Sequence, residues 1–580
     1  MAASLPATEG QDMVVSAQRL ASEAGAQMLR QGGNAVDAAV ATAYALAVVH
    51  PCCGNLGGGG FLVVRLADAE AHVLDFRETA PAGASADMYR AAPQDSLHGW
   101  RAVGVPGTVA GLDAALTRWG RLSRLQVMAP AIRLAAEGFV LARGDTDIIA
   151  AGAATLRRDA EAAAIFLPLG RPPEPGTLLV QPDLAATLAR IAAEGPAGFY
   201  AGPLAQALGA GGTITAADLA GYRALDRAPL HCAYRGLMLL TVPPPSSGGV
   251  AVCQILGVLA RHDMAALGWH GAASVHLLAE AMRHAFVDRN AWLGDPAFVD
   301  NPLDWMLSDA HLAALDAAIG PRATPSADLP PGRAPHEAPP KALLEAAPQA
   351  AGRALHEAPQ TTSLSVVDRQ GNAVALTYTL NGLFGAGVMA PHTGVLLNNE
   401  MDDFAANPGR PNLFGLVQGA RNAIAPGKRP LSSMAPTIAL RDGGLAMVLG
   451  SPGGARIITI VAQTIMNMAD YGMAAQEAAD APRLHMQDYP DRLMAEPRAL
   501  SPDTAAALRG MGYEIVEQSP WGAVALVATS RALAPGGTVA GSGNDAARSG
   551  AMRPGLVYGA MDARRPAGAA VAGLVAGAGE

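Results

Sequence analysis

Thr361 and Thr362 stand where the chain changes character, in "HEAPQTTSLSVVD" (356–368). Upstream, the sequence is crowded with Pro, Ala and Gly and fits neither helix nor strand. From Thr361 onward, apolar and small residues alternate. The runs "TTSLSVVD" and "AVALTYTLN" are joined by "RQGN", a turn signal built on Gly371-Asn372. Folded as an antiparallel hairpin, they set Thr361 opposite Thr379 with Cβ atoms roughly 5 Å apart. Alternation sends Val374, Leu376, Tyr378 and Leu380 to one face, and Ala375, Thr377, Thr379 and Asn381 to the other. The second face is small and polar, so hydroxyls and an amide gather beside Thr361.

Threonine is also simply a good strand residue, and the hairpin alone argues no more than that. What turns the reading toward catalysis is the loose, cleavable chain that stops at Gln360. A threonine hydroxyl is a weak nucleophile unless a base lies beside it, and a free α-amine on the same residue is such a base. With a pKa near 8, that amine exchanges a proton at neutral pH. A cut between Gln360 and Thr361 would therefore create nucleophile and base together.

The elements that must position these residues are legible in outline. Helical periodicity covers 15–31 and 35–49, and "GGN" separates the two. "GNLGGGG" then leads into two strand patterns, "FLVVRL" and "HVLDFR". Helical patterns dominate 107–210 and 250–293, the latter after the turn "PPPSSGG". Residues 320–360 are Pro/Ala-rich without a period and are expected to be mobile; "GRAPHEAP" (332–339) recurs there as "GRALHEAP" (352–359). Strands return after 361, followed by "GLAMVLG", a helix after "SPGG", and an insertion-like stretch beyond 528 to which no role is given. Mixed blocks of this kind favour a layered α/β or α+β architecture.

Composition excludes several classes. Half of the 580 residues are hydrophobic, enough for a large core, and the net charge of −9 without a Lys/Arg run argues against nucleic-acid binding. No stretch is apolar enough to span a membrane; "AVDAAVATAYALAVV" comes nearest and carries Asp37, so a soluble protein is expected. The first residues have neither a basic nor an apolar signal region. Four cysteines are too few for a disulfide framework in a chain this long. Cys52-Cys53, as a vicinal pair, could be redox-active or bind metal, but with no second Cys or His cluster nearby the four read as small buried residues. "SPGG" lacks a following GK[ST], "GNLGGGG" runs into a strand, and HExxH and GxSxG are absent, so no nucleotide, metal or other cofactor is expected.

With these stretches in hand the sequence resembles the γ-glutamyltransferases, members of the N-terminal-nucleophile hydrolase superfamily. The matching stretches run in family order over nearly the whole chain: "GGNAVDAAVATAYALAVVHP", "GNLGGGGF", "LDFRETAP", "GVPGTVAG", "PPPSSGG", "DRNAWLGDP", "TTSLSVVD", "QGNAVALTYTLN", "LLNNEMDDF", "KRPLSSMAPT" and "SPGGARIIT". The resemblance implies an αββα sandwich (an α+β fold) and self-cleavage before Thr361. A large subunit (1–360) and a small one (361–580) would then form a heterodimer acting on glutathione and other γ-glutamyl compounds, with water, amino acids or peptides as acceptors.

The resemblance also implies roles. Thr361 would be the nucleophile and Thr379 its hydroxyl partner. Arg77 would bind the α-carboxylate of the donor, with Ser432 and Ser433 adding hydroxyl donors. Asn381, Glu400 and Asp403 would take the α-ammonium; Glu400 stands where many bacterial relatives have glutamine. Gly453 and Gly454, two unobstructed amides opening a helix, would form the oxyanion hole. Phe414 would lie in the lid loop where a tyrosine commonly gates the site, covering the pocket without a hydroxyl to bond across it. Two alternatives stay open: a cephalosporin or glutaryl acylase on the same fold, and an unprocessed, non-catalytic paralogue. The family implies a periplasmic or secreted location, whereas the signal-less start is equally that of a cytoplasmic chain.

Overall fold

The computed structural model describes residues 6–332, 334, 361–407, 409–533 and 552–573. Gln360, nearly all of both octapeptide copies, and most of the stretch expected to be an insertion lie outside the described residues. No described helix is long and apolar enough to cross a membrane.

Two seven-stranded antiparallel sheets form the centre. One runs Ala569–Val571, Met13–Ser16, Thr361–Val367, Ala373–Thr379, Gly59–Arg65, Ala71–Asp75, Leu225–Arg227. The other runs Thr8–Gly10, Val557–Met561, Ala525–Ala528, Gly444–Gly450, Thr437–Arg441, Leu237–Thr241, Leu230–Tyr234. Alternation on the first sheet shows how they stack. Val63, Ala373 and Ala375 share a core with Ile438, Val448 and Val527 of the second sheet. Their neighbours Leu62, Val374 and Leu376 pack instead with residues of the helices Arg19–Arg30 and Ala35–Val49. Helices Gly248–Leu259, Ala272–Trp292 and Ile457–Ala469 cover the outside of the second sheet. The result is four layers, α, β, β, α, as the resemblance implied.

The strands on either side of Gln360 are interleaved. Thr361–Val367 lies between Met13–Ser16 and Ala373–Thr379, and the latter pairs on its far side with Gly59–Arg65. The segments 1–360 and 361–580 thus build one body between them.

Two local expectations are corrected. The helix read from residue 15 begins at Arg19, because Met13–Ser16, wholly buried, is drawn into the sheet by partners on both sides. Tertiary pairing overrides the helical period there. The cysteines are all paired: Cys52 with Cys53, and Cys232 with Cys253. Helix Gly248–Leu259 packs over strand Leu230–Tyr234 and brings Cys253 to Cys232, a contact that sequence spacing does not announce. Cys52, Cys53 and Cys253 are buried as expected. A histidine does lie beside the vicinal pair: His50 Nε2 is 3.4 Å from Cys52 Sγ. The two sulfurs are bonded to each other and do not form the thiolates a metal would need.

Candidate active site

The hairpin register is the one read from the sequence, with Thr361 opposite Thr379. Their hydroxyls are 3.4 Å apart, and Thr379 Oγ1 also accepts the backbone N–H of Asn381 at 2.8 Å. Asn381, at φ +70°, turns the chain out of the strand, and its Nδ2 donates to the Asn399 carbonyl at 3.0 Å. That bond ties the strand end to the turn carrying Glu400 and Asp403, Glu400–Asp403. The glycine run upstream finds its use here. A Cβ at Gly58 would fall 1.9 Å from the Thr379 carbonyl, so only a bare backbone approaches the reactive strand this closely.

Thr361, Thr379, Asn381, Arg77, Glu400, Asp403, Ser432, Ser433, Phe414 and Gly454 line one small pocket. Gly453 precedes Gly454 at the turn but is not part of the lining. Both glycines have positive φ, +145° and +56°. They open the short turn Gly454–Arg456 and helix Ile457–Ala469, where the first amides have no intrahelical acceptor.

Arg77 is fully buried between carboxylates. One terminal nitrogen faces Glu400 and, at 3.5 Å, Glu78; the other faces Asp403; Nε donates to the Pro430 carbonyl at 3.1 Å. The residue expected to take a carboxylate is therefore held by the residues expected to take an ammonium. Burial pulls the guanidinium down, but Glu400, Asp403 and Glu78 hold it above its ordinary value. Burial in turn pushes Glu400 well up and raises Asp403, with Arg77 opposing both rises. Glu78 is pushed up to about 7 by burial, against the pull of Arg77. Three buried carboxyls around one guanidinium do not all ionise freely.

Several pocket residues had no expected role: Arg289, Leu416, Met434 and Ile457. Arg289 is a charged residue in the matched stretch "DRNAWLGDP", on the helix Ala272–Trp292, which is buried along most of its length. Asp402 also went unread. It accepts Ser96 Oγ and the Leu413 N–H, each at 2.7 Å, and so anchors the backbone beside Phe414. The Phe414 ring, itself buried, lies on Gly454: a Cβ built there would fall 2.3 Å from Phe414 Cδ1. With the oxyanion role that the resemblance implies for Gly454, Gly454→Ala is expected to lower kcat about a hundredfold. Adding Phe414→Ala should recover about tenfold by removing the clash, leaving a backbone strain of roughly 1–2 kcal/mol at the positive φ. No recovery in the double variant would show that the clash is not the cause.

Two packed antiparallel sheets between helical layers are the sandwich of the N-terminal-nucleophile hydrolases. Comparison with known proteins narrows this. The gamma-glutamyltranspeptidase family model matches residues 21–554. A glutathione hydrolase proenzyme of Pseudomonas sp. (strain A14) is 47% identical, over 96% of this chain and 94% of its own. An acylase ACY 1 proenzyme of Pseudomonas sp. (strain V22) is 40% identical, over 93% and 92%. Among solved structures, a cephalosporin acylase from Bacillus halodurans superposes with a TM-score of 0.81 at 26% identity, over 98% of this chain and 97% of its own. The chain belongs to the gamma-glutamyltranspeptidase family.

Proposed function

We propose that the chain is an autoprocessing γ-glutamyl hydrolase and transpeptidase, cleaving the γ-glutamyl amide of glutathione and related compounds. The observation that carries this reading is the position of Thr361. It heads a central strand in the pocket that also holds Arg77, Asp403 and the paired serines. The hydroxyl of Thr361 attacks the γ-carbonyl carbon, and the α-amine freed by cleavage after Gln360 takes the hydroxyl proton. The amides of Gly453 and Gly454 stabilise the oxyanion, the protonated amine returns its proton to the departing amine, and a γ-glutamyl ester of Thr361 remains. Water or an acceptor amine then attacks the ester and regenerates the hydroxyl. Asp403 and Glu400 take the donor's ammonium; Oε2 of Glu400 has no hydrogen-bond partner among the described residues. The test is a denaturing gel of the purified chain together with turnover of a γ-glutamyl anilide. An uncleaved chain that is nevertheless active would overturn the proposal.

The acylase relatives favour a second reading on the same machinery, in which a glutaryl group replaces γ-glutamyl. Arg77 with Asp403 and Glu400 argues for the amine-bearing donor, because a glutaryl chain has nothing to pair with those acids.

Maturation itself supplies a test of the upstream segment. Gly332 is held on both sides: Asp288 Oδ1 accepts the Gly332 N–H at 3.0 Å, and Trp292 Nε1 donates to the Gly332 carbonyl at 3.0 Å. Ala334 packs in a cluster with Trp292 and Leu431, next to Ser432 of the pocket. Deleting 340–359 leaves a span that still reaches roughly 20 Å, and loop closure changes by only about 1 kcal/mol between the two lengths. The precursor is expected to disappear from a gel at nearly the wild-type rate. A slowdown beyond about tenfold (~1.4 kcal/mol) would show that the deleted residues make specific contacts.

A further inference from the structure

Among the described residues, one group of side chains has both the donor atoms and the spacing to hold a metal ion. His50, Cys52 and Cys53 place their ligand atoms all within 4.8 Å of one another, and all three are buried. They lie on the turn that follows helix Ala35–Val49, away from the reactive pocket but tied to the strand that serves it. The Cys52 carbonyl accepts the Phe384 N–H at 3.1 Å, and the Cys53 carbonyl accepts Asn55 Nδ2 at 2.9 Å. Asn55 Oδ1 in turn accepts the N–H of Gly58 at 2.9 Å, the glycine that lies against Thr379. His50 and Cys52 also line a small cavity together with Asp145. Asp145 is buried; its Oδ2 accepts the Ala142 N–H at 2.9 Å, and the Gln18 side chain lies near the carboxyl. Its Oδ1 has no hydrogen-bond partner among the described residues. Arg565 is close enough to be felt by His50, and Asp562 offsets its charge.

We propose that reduction of the Cys52–Cys53 bond converts this turn into a zinc site, with Cys52 Sγ, Cys53 Sγ, His50 Nε2 and Asp145 Oδ1 as its four ligands. Two small-molecule thiols give the bond two electrons and two protons and leave as a disulfide; Zn²⁺ then displaces both protons from the cysteines. The sulfurs must part to roughly 3.8 Å, the edge of a tetrahedron with Zn–S near 2.3 Å, which one cysteine achieves by changing its χ1 well. Two thiolates, an imidazole and a carboxylate suit zinc, which is bound by all three ligand types. The thiolates and Asp145 bring three negative charges against the ion's two, so Arg565 does not leave the site over-positive. The bound ion would close the turn again once the disulfide is open, keeping Gly58 against the reactive strand in either redox state.

Cobalt(II) serves as the visible probe for zinc. The metal-free full chain is reduced with a water-soluble phosphine, which ends as its oxide, and titrated with Co²⁺. Reduction also opens Cys232–Cys253, so the decisive protein is Cys232→Ser/Cys253→Ser, whose only cysteines are Cys52 and Cys53. It is expected to take up one equivalent of Co²⁺, with thiolate-to-cobalt charge-transfer absorption and the intense visible bands of tetrahedral coordination, both bleached by one equivalent of Zn²⁺. Unreduced protein should show neither band, and neither should reduced Cys52→Ser/Cys53→Ser. The two double variants answer independently, so either decides should the other not fold. His50→Gln and Asp145→Asn should keep the charge-transfer absorption but weaken zinc binding more than about tenfold each, since even outer-shell partners of a metal site are worth that much. Absence of the bands from the reduced protein would overturn the proposal, as would their persistence without Cys52 and Cys53. Unchanged affinity in Asp145→Asn or His50→Gln would overturn the four-ligand site. No turnover enters the test, so its outcome is separate from that of the γ-glutamyl reading.

Discussion

Thr361→Ala protein is expected to run as a single undivided chain on a denaturing gel and to release nothing measurable from γ-glutamyl anilides. Both losses follow from one missing hydroxyl. In the precursor the nitrogen of Thr361 is an amide without basicity, and only the hydroxyl can attack the Gln360 carbonyl. In the proposed mechanism the same hydroxyl, once the chain is cleaved, attacks substrate, now with an α-amine of pKa near 8 beside it. Removing a nucleophile of this type typically costs 10⁴-fold or more. Thr361→Ser, which keeps the hydroxyl, should retain cleavage at a reduced rate. Wild-type pieces 1–360 and 361–580 should still migrate together under native conditions. Thr361–Val367 is buried along its whole length between strands drawn from both pieces. Turnover by the uncleaved alanine variant would sink the mechanism, and cleavage without Thr361 would relocate the processing chemistry.

The parts of this site that depend on local pattern could be read in the sequence, and those that depend on long-range packing could not. The hairpin register followed from a turn signal and the alternation of side chains, so Thr379 opposite Thr361 needed no structure. The helix Ala35–Val49 was likewise marked by its period, and the structure adds the Asn34 cap. By contrast, Met13–Ser16 looks like the lead-in to a helix until the sheet claims it from both sides. The Cys232–Cys253 bond joins a strand to the helix above it, a tertiary event. The resemblance supplied Arg77, Asp403 and Glu400 as separate anchors for opposite charges, but their mutual ion pairs emerge only once residues more than three hundred positions apart are folded together. The bonds that hold Arg289, to Ser247 and to Gln418, likewise join positions far apart in the sequence.

Asp403→Asn is expected to separate the two substrate readings. The ammonium of a γ-glutamyl donor, enclosed in a buried pocket, loses a counter-charge when Asp403 becomes an amide, and leaving a buried charge unpaired costs roughly 3 kcal/mol or more. That corresponds to a fall of more than a hundredfold in kcat/KM for γ-glutamyl p-nitroanilide. The glutaryl analogue has no amine and should lose far less, so the ratio of the two donors is the diagnostic quantity. The pH profile adds an independent sign. Burial raises the Asp403 carboxyl above the ordinary aspartate range, with Arg77 and Arg289 opposing the rise. Its ionised form, the one that pairs with the ammonium on the proposed reading, is present at high pH and is lost as pH falls through that raised value. Wild-type kcat/KM for the γ-glutamyl donor should therefore decline on the acid side earlier than an ordinary aspartate would dictate, while the donor's amine stays charged throughout. In Asp403→Asn that part of the acid limb should vanish. Equal losses on both donors, with the limb unchanged, would mean that Asp403 does not face the amine and would move the assignment toward the acylase reading.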